Sequence, residues 1–179
     1  MILHKRKRLV LFMTIELVLI IMSALQPLKL FSQSAKISIL KGSNAIFHIN
    51  TLEQINNGVS LTNWSKIELY FKNPASSGWE LTLRADNIAL VSSTDSIPLT
   101  SLLIELSAPS IIGGSETNLQ TNSPSFSPTT GDVWILQGES KDVKLEFTIT
   151  YKLGTLVPLL NYDRGYYIVG LSLNLGSKI

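Results

Sequence analysis

Side chains able to act as nucleophiles, proton-transfer groups or metal ligands are sparse in this chain. Cysteine is absent from all 179 residues, which excludes thiol catalysis, thiolate metal sites and disulfides. After the N-terminal segment one histidine remains, His48, with no acidic or histidine neighbour in sequence. Such a histidine is more often structural than catalytic, and the residues on either side of it indicate an outward position on a strand.

Other catalytic patterns are missing or scattered. Serine is abundant, but no Gly-x-Ser-x-Gly elbow, phosphate-binding loop or calcium-binding loop occurs. The Asp and Glu residues are dispersed, and whether two of them meet in space for glycoside chemistry stays open. We predict no catalytic residue, no metal ligand and no cofactor, and a secreted hydrolase is the least favoured class.

The N-terminal segment has the charged, apolar and small-residue order of a secretory signal peptide. Four cations, Lys5–Arg8, precede an apolar run, Leu9–Leu25, and small residues follow up to Ser34. We predict that residues 1–34 are a signal peptide, and therefore a periplasmic, cell-surface or extracellular location. The alternative is an uncleaved anchor, but a spanning helix needs about 20 mostly apolar residues, and Glu16 interrupts this run.

Removal of this segment changes the charge balance. Residues 1–34 hold five of the 15 basic and one of the 13 acidic residues, which leaves ten basic and 12 acidic residues in 35–179. The net charge of that part is therefore −2. No basic patch remains that would indicate binding to nucleic acid or to anionic lipid.

The rest of the chain is dominated by a period of two, in which apolar and polar residues alternate. Such runs predict antiparallel strands with one buried and one solvated face. We predict a single all-β domain over 35–179, an antiparallel β-sandwich of Ig-like or pilin-like type. A short helix is expected at Thr51–Asn57, capped by Thr51 and ended by Gly58. The predicted strands include Lys66–Lys72, Trp79–Ala85, Leu102–Leu106, Val143–Leu153 and Tyr167–Leu175.

The stretch SSGWELTLRAD contains a tryptophan directly after a turn-forming cluster, Asn73–Gly78. This cluster predicts a hairpin between the strands on either side of it. Trp79 would then be the first inward residue of the returning strand. The predicted core aromatics are Trp79, Trp134, Phe147 and Tyr167.

The segment 107–131 breaks the alternating pattern, because it consists mostly of Ser, Thr, Pro, Gly and Asn. We predict a Ser/Thr/Pro-rich loop, either a solvated and mobile excursion or a contact loop. For a contact loop, the candidate apolar anchors are Ile111, Ile112 and Phe126.

Several of these features together resemble the bacterial WxL-domain surface proteins. Gly78-Trp79-Glu80-Leu81 matches the family's loop and Trp-x-Leu motif, and Arg164-Gly165-Tyr166-Tyr167 matches the turn before its last strand. The family's distal Trp-x-Leu is absent, since the final strand reads LSLNL, and fimbrial and spore-coat-type subunits share the Gly-x-Tyr ending. The resemblance implies an exported, surface-associated, non-enzymatic β-sandwich.

The favoured function is a cell-surface or extracellular interaction module. Its expected partner is a cell-envelope protein or polysaccharide, with no nucleic acid and no membrane after signal cleavage. The alternative is a fimbria-like subunit that polymerises by strand donation, which requires a long alternating extension. Residues 35–40 supply only Ile37 and Ile39 in phase for such a strand, which favours a self-complete sandwich.

Overall fold

The computed structural model describes residues 33–178, which form three antiparallel β-sheets around one hydrophobic core. The predicted all-β, antiparallel sandwich class is confirmed. The signal-peptide prediction falls on residues 1–34, of which 1–32 lie outside the described residues. In the described part of the chain, none of the helices has the length and apolar character needed to cross a lipid bilayer.

The strands within residues 33–178 are numbered in chain order, with one helix, α1 (Leu52–Asn57), and one 3-10 turn, Leu99–Ser101. They are β1 (Ser34–Lys41), β2 (Ile46–Ile49), β3 (Val59–Lys72), β4 (Trp79–Ala85), β5 (Ala89–Val91), β6 (Ser96–Pro98), β7 (Leu102–Leu106), β8 (Ser110–Gly114), β9 (Gln120–Thr121), β10 (Ser125–Phe126), β11 (Val133–Gly138), β12 (Asp142–Leu153), β13 (Gly165–Ile168) and β14 (Leu171–Ser177).

We name the three sheets by size and place. The large sheet has the order β1-β3-β12-β7-β10, with β8 also paired to β12. The back sheet has the order β14-β4-β11-β9, and the small sheet the order β2-β13-β5-β6. The inward residues of all three sheets belong to one buried cluster, which is what the alternating runs require.

The predicted hairpin across Asn73–Gly78 is wrong. The strand containing Lys66–Lys72 lies in the large sheet, where β1 and β12 occupy both of its edges, whereas Trp79–Ala85 lies in the back sheet. With no free edge on β3, the connection has to cross between sheets. Gly78 makes this crossing with φ of +153°, and a Cβ there would collide with the carbonyl oxygen of Gly138.

The predicted strand Tyr167–Leu175 is in fact two strands. It breaks at Val169 and Gly170, so that β13 joins the small sheet and β14 joins the back sheet. The Asp86 N–H donates to the Gly170 carbonyl at 2.9 Å, and a Cβ on Gly170 would lie 2.5 Å from the Asp86 carboxylate. The alternating pattern hides this break because the inward positions keep the same parity on both sides of it.

The short helix α1 has the capping predicted from sequence. The Thr51 hydroxyl accepts a hydrogen bond from the Gln54 N–H at 3.2 Å, and the Gln54 side chain accepts one from the Thr51 N–H. This is a capping box. Gly58 follows the last helical residue with φ of +76°, a conformation that favours glycine.

The segment 107–131 differs from the predicted loop because it contains β8, β9 and β10. They pair with β12, β11 and β7 respectively, so the segment lies across both the large and the back sheet. Ser107 fixes its start, since its N–H donates to the Thr148 carbonyl and its hydroxyl accepts from the Thr148 N–H. Turn-rich composition concealed short strands whose partners are far away in sequence.

Three of the four predicted core aromatics, Trp79, Phe147 and Tyr167, are buried. Trp134 is not in the core, contrary to the prediction. A bulge between Trp134 and Leu136 places two consecutive residues, Ile135 and Leu136, in the core and leaves Trp134 opposite the outward-facing Thr82. A bulge adds one residue to a strand and so reverses the alternation beyond it.

Candidate functional site

The outer surface of the small sheet is uncharged. None of its outward strand positions carries Lys, Arg, Asp or Glu. We call this surface the small-sheet face, and it consists of Ile46, His48, Ala89, Val91, Ser96, Pro98, Tyr166 and Ile168.

A row of aliphatic side chains crosses the small-sheet face. Ile46 is in register with Ile168, and Ile168 with Val91. Their exposed fractions are 43%, 50% and 49% respectively, so half of each side chain meets solvent. Cross-strand neighbours on one face of a sheet lie within contact distance, so the three residues form one continuous apolar strip.

An aromatic pair lies in the next row of the same face. The rings of His48 and Tyr166 are stacked with centroids 4.2 Å apart and an interplanar angle of 8°. The two residues are in register across β2 and β13, and Tyr166 is 61% exposed. The stack therefore places exposed aromatic surface beside the aliphatic strip.

Buried residues on the opposite side of the small sheet hold this face in place. Phe47, Leu90 and Tyr167 are completely buried. The Tyr167 hydroxyl donates to the Asp163 carbonyl at 2.7 Å, and burial raises the pKa of this phenol, so it remains a donor. Asp95 accepts from the Asp163 N–H at 2.9 Å, which ties the β5–β6 turn to the start of β13.

A groove with a volume of about 440 Å³ borders the small-sheet face where β2 begins and β13 ends. Ile46 and Ile168 contribute to its wall, so the groove is continuous with the aliphatic strip. Polar groups line the rest of it, including Ser43, Asn44 and Asp86. An apolar surface beside a groove with a few polar groups is a common arrangement for binding.

The outer face of the large sheet is chemically different. Cations and carboxylates occupy outward positions of β3, β7 and β12 and pair across the strands at N–O distances of 2.6–3.1 Å. The four ion pairs are Lys66–Glu146, Lys72–Asp142, Lys144–Glu68 and Lys152–Glu105. These charges remain solvated and neutralise one another, which is typical of a surface that stays in water.

The structure separates the three residues of the predicted contact loop. Ile111 and Ile112 are 42% and 45% exposed on β8, at the edge of the large sheet. Phe126 is partly buried against the core, and on β10 it is in register with Ile104. Phe126 therefore stabilises the segment 107–131, whereas the two isoleucines remain accessible.

A carboxylate that the sequence did not single out anchors this segment. Glu116 accepts from the Trp79 indole at 3.0 Å and from the N–H groups of Asn118, Glu139 and Ser140 at 3.0, 3.3 and 3.0 Å. Burial on its own would raise the pKa of Glu116, but these four hydrogen bonds together hold it below its usual value. The buried tryptophan thus obtains the acceptor that its N–H needs.

The sequence did contain a signal for the small-sheet face. In IFHI and GYYI, apolar or aromatic residues occupy both parities, so a buried inner face leaves apolar residues on the outer face. This signal is hard to see because both strands are only four residues long, and the alternation of a longer run next to a short strand dominates the pattern. His48 lies outward, as the sequence predicted, but its stacking on Tyr166 requires a pairing of distant strands.

Comparison with known protein families finds no family model that matches the chain, and no curated protein is significantly similar to it. The resemblance to WxL-domain proteins therefore stays a prediction. Within residues 33–178 no group of three or more His, Cys, Asp or Glu side chains is arranged to hold a metal ion.

Proposed function

We propose that this protein is an exported, non-enzymatic interaction module that binds its partner through the small-sheet face. One observation carries the proposal: the uncharged strip of Ile46, Ile168 and Val91 lies beside the exposed His48–Tyr166 stack. Contiguous apolar patches on a soluble domain mark interaction sites more often than single exposed apolar residues do.

The chemistry of the face favours a protein partner over a polysaccharide. The cores of protein interfaces are depleted in charge and enriched in aromatic side chains such as tyrosine. Covering the aliphatic row with apolar groups of a partner lowers the free energy by about 25 cal/mol per Å² of apolar surface buried. A sugar offers mainly hydroxyl groups to such a row, so we favour a cell-envelope protein with an apolar contact surface.

Strand donation is the less favoured alternative. In this fold β1 already occupies the edge of its own large sheet and pairs with β3 from Ser34 to Lys41, with a register shift after Ile39. Ile37, the inward residue expected for a donated strand, packs against the core of its own chain. Because a strand of the same chain occupies this edge, the fold supports a self-contained module rather than a subunit that needs a strand from a neighbouring copy.

Capture from a native cell-envelope extract tests the proposal with two matched substitutions. Ile168→Glu introduces a charge into the aliphatic strip, and Tyr70→Glu introduces the same charge on the outer face of the large sheet. We expect Ile168→Glu to reduce recovery of the partner at least about tenfold, and Tyr70→Glu to leave it unchanged. Equal recovery by wild type and Ile168→Glu, with unchanged thermal midpoints, would refute the proposal.

A further inference from the structure

Strand β14 is an edge of the back sheet, and β1 at the edge of the large sheet packs against it without pairing with it. It pairs with β4 over Leu171 to Ser177 in continuous register, and within residues 33–178 no other strand pairs with it. Its sequence, LSLNLGS, contains no charge and no proline. Its second row of backbone N–H and C=O groups is therefore available to another strand.

The other sheet edges in the described residues are shorter or protected. β1 is long, but it carries Lys36 and Lys41 and has a register shift after Ile39. β8 has a register shift and ends in two glycines. The remaining edge strands, β2, β6, β9 and β10, have four residues or fewer. Lysines, bulges and short length are the usual means of preventing edge pairing, and β14 has none of them.

We propose that β14 pairs with β14 of a second copy of this chain, antiparallel about a two-fold axis, and so joins two back sheets into one. Pairing over the full strand centres on Asn174, the middle residue of Leu171–Ser177. Leu173 of one copy then faces Leu175 of the other. An uncharged strand pairs with itself without repulsion, and the same patch on both copies closes a two-fold dimer.

The half-buried leucines of β14 fit this occupant. Leu171, Leu173 and Leu175 pack against the core from the edge of the sheet and are not fully covered. A two-fold axis perpendicular to the sheet places the second copy's leucines on the same side, where they continue the apolar layer. The dimer surface uses no residue of the small-sheet face.

Cysteine crosslinking of the full chain tests the register directly, because the protein contains no cysteine. Residues opposite each other in an antiparallel pair have Cα atoms about 4.5–5.5 Å apart, within the range of a disulfide. Asn174→Cys should therefore give at least about tenfold more covalent dimer on mild oxidation than Thr121→Cys on β9, at the opposite edge of the back sheet. Association through any other part of the chain affects both variants, so the difference between them reports on β14.

A second pair of variants keeps the test independent of disulfide geometry. By light scattering, the wild-type chain and Thr121→Lys should have twice the mass of one chain, and Asn174→Lys the mass of one chain with an unchanged thermal midpoint. The proposal fails if the wild-type chain is monomeric at about 100 µM, well above typical dimer dissociation constants. It also fails if Asn174→Lys stays dimeric, or if Thr121→Cys crosslinks as well as Asn174→Cys.

Discussion

Two outer surfaces of this domain arise from the same strand alternation and have opposite chemistry. On the large sheet, outward positions of β3, β7 and β12 carry four cross-strand ion pairs. On the small sheet, they carry half-exposed aliphatic side chains and a stacked His48–Tyr166 pair. A charged face is stable in water on its own, whereas an apolar face gains free energy when it is covered. This difference is the basis of our proposal that a partner binds the small-sheet face.

The largest expected effect on stability distinguishes the inward-facing tryptophan, Trp79, from the outward-facing one, Trp134. Trp79 is fully buried, so Trp79→Ala should lower the free energy of unfolding by about 3–5 kcal/mol. Trp134 lies on the outer side of the bulge, and Trp134→Ala should cost about 1 kcal/mol or less. Urea denaturation measures both, and a similar loss in the two variants would contradict the assignment of the core.

A smaller effect distinguishes a residue that stabilises the fold, Glu116, from the residues of the binding surface. Glu116→Gln should lower the free energy of unfolding by about 1–3 kcal/mol, because three N–H groups and an indole lose a charged acceptor. Partner capture should change no more than the folded fraction does. Glu139→Gln is the control, since its backbone N–H, and not its side chain, donates to Glu116.

The same carboxylate gives a pH dependence with a defined sign. The pKa of Glu116 is lower in the folded state than in the unfolded chain, where it is about 4.3. Its contribution is therefore fully present above that unfolded value and is lost as the pH falls through the folded value. Over this acidic range the free energy of unfolding of the wild type should fall more than that of Glu116→Gln. Parallel curves of the two proteins against pH would show that these hydrogen bonds do not make the stability depend on pH.

The smallest effects concern single residues on the two outer faces. Lys144→Ala removes an exposed ion pair with Glu68 and should change the free energy of unfolding by about 0.2–1 kcal/mol, less in high salt. Tyr166→Ala should also cost little stability, since the ring is mostly exposed. The two variants should differ in capture, where Tyr166→Ala loses partner and Lys144→Ala does not. Loss of capture in Lys144→Ala would reverse the comparison.

Alternation predicted the all-β class, the extents of β4 and β12, and the burial of Trp79, Phe147 and Tyr167. It could not predict which strands pair, because the apolar faces of β3 and β4 are compatible with a hairpin or with two sheets. The bulge at Trp134 is a local irregularity without a clear composition signal. Gly170 is a weak signal of a break, since an isolated glycine in a strand often marks an irregularity, but the unchanged parity on both sides of it favoured one strand. The small-sheet face depends on bringing β2, β5 and β13 together, which local pattern does not encode.

Chemical labelling of the protein, free and with the envelope partner that we propose, tests the binding surface most directly. His48 is exposed and is the one histidine in residues 33–178, so a histidine-specific acylating reagent reports on the small-sheet face. Lys66 and Lys144, labelled with an amine reagent, report on the outer face of the large sheet. We expect the partner to protect His48 and to leave both lysines reactive. Protection of the lysines with His48 still fully reactive would contradict the assignment.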